Sequence, residues 1–149
     1  MKDTWLLDVN VLVAWLWPTH QAHAAAMGWM NQLGNDRWAT CAVTEMGFLR
    51  LITNPSFAPT VPRWPDAVAL LRKQTTAHAN HLFWQDSLSL TQMPQSLGRR
   101  IQGPNQITDA YLLALAMQKS SKMVTFDYRM VSLAPAGTSE HGSLLILKP

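Results

Sequence analysis

Cysteine is nearly missing from this chain. The single Cys41 leaves no intramolecular disulfide framework and no cysteine-rich zinc site, and it reads as a small buried side chain. Charge is scarce as well: Asp, Glu, Lys and Arg make up 14% of 149 residues, and only nine residues are acidic. There is no uncharged apolar run of about 18 residues, so no membrane-spanning helix and no membrane partner are expected. The opening stretch Met1 to Asp8 has neither a long apolar segment nor a cleavage site, which argues against a secretory leader. A cytoplasmic protein is the simplest expectation. Internal repeats, low-complexity tracts and linkers are also lacking.

What is present is apolar and bulky. At 48% hydrophobic with seven Trp, the chain suits one compact domain over residues 1–149 with a sizeable core. The formal charge of +3 is by itself weak evidence for a polyanionic partner. The placement of the acids says more. Four of the nine interrupt apolar runs: Asp8 in Trp5-Leu-Leu-Asp-Val-Asn10, Glu45 in Val43-Thr-Glu-Met-Gly-Phe-Leu49, Asp109 in Ile107-Thr-Asp-Ala-Tyr-Leu-Leu113, and Asp127 in Met123-Val-Thr-Phe-Asp127. Burying an unpaired carboxylate costs several kcal/mol, so the pattern points to one shared acidic site. Gathering four acids there leaves the remaining surface basic.

The punctuation of the chain predicts alternating strands and helices. Trp5 to Val9 reads as a buried strand, followed by an apolar helical stretch from Val11 to Trp17 that stops at Pro18. His20 to Leu33 reads as a helix ending at Gly34-Asn35. Trp38 to Val43 is a second strand, after which Thr44 caps a helix running to about Thr53. A Pro-punctuated loop leads to a helix from Pro65 to about Ala79. His81 to Trp84 suits a third strand, and Gln85 to Gln106 reads as irregular. Ile107 to about Ser120 is the clearest helix. Lys122 to Phe126 is a strand, and Ser143 to Leu147 adds a last one at an edge. The alternation predicts an α/β three-layer sandwich, a mostly parallel central sheet flanked by helices.

That fold class gives the acids their meaning. In βαβ units strand C-termini and helix N-termini share one edge, where open α/β sheets place their ligands. Asp8 and Asp127 fall at strand ends, Glu45 and Asp109 in first helical turns. Two carboxylates about 5 Å apart repel by roughly 3 kcal/mol at an effective dielectric near 20, so four together should have raised pKa values. A divalent cation would relieve this. All four candidate ligands, Asp8, Glu45, Asp109 and Asp127, are hard oxygens, which selects Mg²⁺ or Mn²⁺ over zinc or copper. Such a site suits phosphodiester hydrolysis by an activated water.

Taken in order, the segments Leu6-Leu-Asp-Val-Asn-Val-Leu12, Thr40 to Arg50 followed by Asn54-Pro55, Ile107 to Ala116, and Val124-Thr-Phe-Asp127 resemble the PIN-domain ribonucleases. Within them the likeness is to the VapC-type toxins of bacterial toxin–antitoxin pairs. The resemblance covers Leu6 to about Met130. It implies that Asp8, Glu45, Asp109 and Asp127 form the catalytic metal site, with Asn10 and Thr125 as supporting polar residues. It also implies an endoribonuclease acting on RNA, a homodimer, and a cognate antitoxin that binds across an apolar groove and obstructs the site.

Two other readings compete. A phosphoryl-transfer enzyme using Asp8 as nucleophile would need a second Asp two residues on, where Asn10 stands. A catalytically silent PIN-like module binding RNA or protein would have no use for all four acids. Arg50, Arg99 and Arg100 are candidates for RNA contact. The pairs His20/His23 and His78/His81 read as solvent-facing or capping, since no pattern supports zinc. Trp5, Trp15, Trp29 and Trp38 fall in elements that need core, whereas Trp17, Trp64 and Trp84 flank loops and suit a partner surface.

Overall fold

Five short parallel strands carry the molecule, which a computed structural model describes over residues 2–149. The strands are β1 (Thr4–Leu7), β2 (Arg37–Cys41), β3 (His81–Trp84), β4 (Lys122–Thr125) and β5 (Leu144–Ile146), in the order β3-β2-β1-β4-β5. Every pairing is parallel. The helices are α1 (Val9–Leu16), α2 (His23–Gln32), α3 (Ala42–Ile52), α4 (Trp64–Ala77), the single turn α5 (Gln95–Gly98), and α6 (Ile107–Gln118).

Parallel strands buried on both faces read as apolar runs, with successive side chains sent to opposite sides. Here Leu6, Ala39 and Met123 pack on the face covered by α5 and α6. Their neighbours Leu7, Trp38 and Val124 pack on the face covered by α1 to α4. The two central helices are apolar nearly all round: Val11 to Leu16 of α1 and Ala110 to Ala116 of α6 are all buried. The result is the expected three-layer α/β sandwich, with a sheet that is wholly parallel.

Helix α3 starts earlier than the sequence predicts. Strand β2 runs into it without a loop, so Cys41 is the N-cap residue and Thr44 lies inside the first turn. Thr44 Oγ1 accepts from the Cys41 N–H at 3.0 Å, reaching backwards instead of capping forwards. The segment expected to be irregular holds α5 and two single 3₁₀ turns, Leu90–Gln92 and Pro104–Gln106. Trp84, expected at a partner surface, is buried against the α6 face, because its strand is covered there. Trp64 is exposed as expected, and Trp17 packs edge-on against Phe57. Gly34 closes α2 with φ +58°, a left-handed conformation that glycine adopts at least cost. No helix among the described residues is long and apolar enough to cross a membrane.

Strand order fixes where a site can form. From β1 the chain moves to β2 on one side, while β4 lies on the other, so the crevice opens at the C-terminal ends of β1 and β4.

Candidate active site

Asp8 directly follows β1 and is the N-cap of α1. Its Oδ1 accepts from the Val9 N–H at 2.8 Å, and its own N–H donates to the Val124 carbonyl of the neighbouring strand. Its Oδ2 accepts from the buried Thr125 hydroxyl at 2.8 Å. Asn10, the second residue of α1, ties that helix to the end of β4. Its Oδ1 accepts from the Phe126 N–H at 3.0 Å, and its Nδ2 donates to Thr125 Oγ1 at 3.0 Å. Thr125 Oγ1 also accepts from the Asp127 N–H at 3.0 Å. One hydroxyl therefore sets the rotamer of Asp8 and the backbone path to Asp127.

Asp109 projects from the first turn of α6 and lines a cavity of about 120 Å³ with Asp127, Arg129, Asn105 and Gln106. Burial, then the charges of Asp8 and Asp127, push its carboxyl up to about 6. Asp8 is 7% exposed and is also pushed up, mainly by burial, against the lowering effect of the Thr125 hydroxyl and the Val9 N–H. These three acids share one electrostatic pocket, as the sheet edge requires.

Asp127 departs from the expectation of four raised carboxyls. Arg129 forks onto it, Nε to Oδ1 at 2.9 Å and Nη2 to Oδ2 at 3.0 Å, and holds its pKa below the usual carboxylate range. Asp127 also caps the 3₁₀ turn Tyr128–Ser132 through the Arg129 N–H. Glu45 is held by a different partner. It sits in the first turn of α3, where its Oε2 accepts from the buried Thr40 hydroxyl at 2.7 Å. Among the described residues, no three Asp, Glu, His or Cys side chains stand close enough together to hold one ion. Asp8, Asp109 and Asp127 thus act on one another electrostatically, whereas Glu45 is held by Thr40.

Donor chemistry still suits a hard cation. Mg²⁺ keeps several waters and is usually held by only one or two carboxylates plus phosphate oxygens, which Asp8 and Asp109 can supply.

The basic candidates divide. Arg100 is spent on structure, because its Nη1 lies 3.2 Å from the buried Glu140 carboxylate and donates to the Leu133 carbonyl. Arg50 lies in the last turn of α3, at the end of that helix away from the strand edge. Arg99 is the exposed C-cap of α5, with Nη2 3.4 Å from Gln95 Oε1. The guanidinium that does line the acidic cavity is Arg129, one of the basic side chains available to the surface, and nothing in the sequence beyond its place two residues after Asp127 singles it out. His81, expected to face solvent, is half-buried on Thr40.

This arrangement has counterparts among known proteins. A model of the PIN domain matches residues 5–134, from β1 through the turn that follows Asp127. The chain belongs to the PIN-domain family. Within it, the similarity is to the VapC ribonucleases. Ribonuclease VapC39 of Mycobacterium tuberculosis (strain ATCC 25618 / H37Rv) is 39% identical over 139 residues, covering 92% of this chain and 98% of that protein. Ribonuclease VapC38 of the same strain is 40% identical over 129 residues, covering 87% and 89%. A crystal structure of Mycobacterium tuberculosis VapC20, titled a Sarcin-Ricin loop cleaving toxin, shares the fold. Its TM-score is 0.59 at 13% identity, over 91% of this chain and 97% of that one. The PIN-domain match stops at residue 134, short of Glu140 and β5.

Proposed function

We propose that this PIN-domain protein is a Mg²⁺- or Mn²⁺-dependent endoribonuclease toxin that cleaves RNA phosphodiesters. The observation that carries the reading is the placement of Asp8, Asp109 and Asp127 at the C-terminal edge of a parallel sheet, where burial and the other two acids push Asp109 up to about 6. A fold tolerates such repulsion where a cation or a proton relieves it. Its relatives, named as VapC ribonucleases, point to RNA as the substrate class.

Asp8 and Asp109 are the residues that would hold the ion, with Glu45 and Asp127 at its margins. Once bound, a divalent cation neutralises phosphate charge and makes water a competent nucleophile near neutral pH. The protein's own part is positioning. Thr125 and Asn10 lock Asp8 across the β1–β4 seam. Arg129 holds Asp127 aside, and its mostly exposed guanidinium lies beside the same cavity, where it can meet a phosphate. Asn105 and Gln106 line that cavity and offer neutral hydrogen-bonding groups to RNA.

The proposal extends to partners and location. A groove of about 400 Å³ between α1, α2 and α4, lined by Trp15, Met27, Met30 and Leu70 and also by Gln74 and His78, supports docking of a cognate antitoxin. Exposed Met46, Leu51 and Ile107 support a homodimer. Residues 1–149 act as one nuclease domain in the cytoplasm.

Incubating total cellular RNA with the purified, antitoxin-free protein tests the reading. Discrete fragments should form with Mg²⁺ or Mn²⁺ and disappear with EDTA. Folded protein that yields no metal-dependent product contradicts it and favours a silent RNA- or protein-binding module.

A further inference from the structure

The Glu45 carboxylate is not held by the other acids of the site. Its hydrogen-bond partner is Thr40, fully buried near the end of β2, and Thr40 has a second partner: His81 Nε2, 2.8 Å from the same Oγ1. Register explains the meeting. Thr40 pairs with Phe83 and Trp38 with His81, so Thr40 and His81 are diagonal neighbours on adjacent parallel strands. The His81 ring is pinned in turn against Trp38, centroids 4.4 Å apart.

Proton counting orients the chain of bonds. A threonine hydroxyl has one proton to give, and a carboxylate can only accept. The Thr40 proton is therefore committed to Glu45, and Thr40 Oγ1 must accept from His81. That requires a proton on Nε2 of the imidazole. The ring is neutral at physiological pH, because burial and the neighbouring His78 pull its pKa down to about 4. A neutral ring carries one N–H, and the geometry assigns it to Nε2.

We propose that His81 and Thr40 are positioning residues: a relay from His81 Nε2–H to Thr40 Oγ1 to Glu45 Oε2 fixes Glu45 for divalent-cation binding. The proposal rests on the reading of Glu45 as a margin residue of that cation site. The relay engages Oε2 and leaves Oε1 outside it. Three elements meet in it, β2, β3 and the first turn of α3, so the edge strand β3 acts on the site without contacting RNA or cation. Partners of this outer kind commonly change metal affinity or activity by about 10–100-fold when removed.

The test uses Mg²⁺ titration by calorimetry on the full chain, with no RNA present, beside long-range proton–nitrogen spectra of the histidine rings. Thr40→Val keeps the shape and removes the hydroxyl; Thr40→Ser restores it. His81→Leu removes the donor; His81→Gln restores an N–H. Mg²⁺ affinity should fall about tenfold or more in Thr40→Val and His81→Leu, and return toward wild type in the two conservative variants. The wild-type spectrum should show His81 protonated at Nε2. Unchanged affinity in Thr40→Val, a loss that serine does not rescue, or a proton on Nδ1 overturns the relay alone. A wild type that binds no Mg²⁺ overturns the relay together with the metal site. A wild type that binds Mg²⁺ but cuts no RNA brings down only the ribonuclease reading.

Discussion

Thr125 donates its hydroxyl to Asp8 Oδ2 at 2.8 Å, joining two residues 117 positions apart in the chain. The same oxygen accepts from Asn10 Nδ2 and from the Asp127 N–H. A buried carboxylate whose best donor is removed becomes costlier to keep charged. Thr125→Val should therefore lower stability by about 1–3 kcal/mol and reduce cleavage about 10–100-fold. Thermal melts beside RNA cleavage rates check this. Cleavage at the wild-type rate would show that the Asp8 rotamer does not depend on the hydroxyl.

Asp109 makes the metal-free protein sensitive to pH in a defined direction. Its folded pKa is about 6 against an ordinary 3.8. Its favourable contribution is thus complete below about 3.8 and is lost as pH rises through about 6. Asp109→Asn should stabilise the metal-free fold at pH 7. For a half-exposed group the discounted gain is about 1 kcal/mol, or roughly 2–4 °C in Tm for a chain of this size. Cleavage should be abolished in the same variant. A destabilised Asp109→Asn protein would mean that the carboxylate is structural.

Glu140 acts with the opposite sign. It is 2% exposed, accepts from Ser96 Oγ at 2.6 Å and pairs with Arg100. The Ser96 bond first, with help from Arg100, holds its pKa down at about 2 against an ordinary 4.5. Its stabilisation is present above about 4.5 and fades as pH falls toward about 2. Glu140→Gln should cost about 2–4 kcal/mol at pH 7, since it leaves a partly buried guanidinium without its counter-charge. Acid unfolding monitored by circular dichroism should then lose part of its dependence on pH below 4.5.

Gly47 sets the approach of α3 to α1. A Cβ built there would lie 2.5 Å from Val9 Cγ2, next to the Asp8 cap. Gly47→Ala should cost about 1–3 kcal/mol by overpacking. Adding Val9→Ala should recover much of that, a coupling that a double-mutant cycle in denaturant measures directly. Independent, additive effects would place the two helices further apart than described.

How much of this was legible follows from what each residue depends on. Asp8, Asp109 and Asp127 could be read because a carboxylate inside an apolar run is costly wherever the chain goes, and strand–helix alternation sends all three to one edge. A mostly parallel sheet was implicit in the same alternation, though not that every pairing is parallel. The fork of Arg129 onto Asp127 was not legible, since it depends on the turn that follows β4. Arg100 resembled an RNA contact until the structure placed Glu140 beside it from a tail with no motif. The link between His81 and Thr40 depends on strand register, and a one-residue shift would have sent His81 to the other face.

The most direct measurement is Mn²⁺ titration of the metal-free protein by calorimetry, wild type beside Asp8→Asn, Asp109→Asn and Asp127→Asn. Asp8→Asn and Asp109→Asn should each weaken binding at least tenfold, about 1.4 kcal/mol, while Asp127→Asn, whose carboxylate Arg129 already occupies, should weaken it less. Wild-type affinity in both Asp8→Asn and Asp109→Asn would contradict the assignment of this acidic edge as a divalent-cation site.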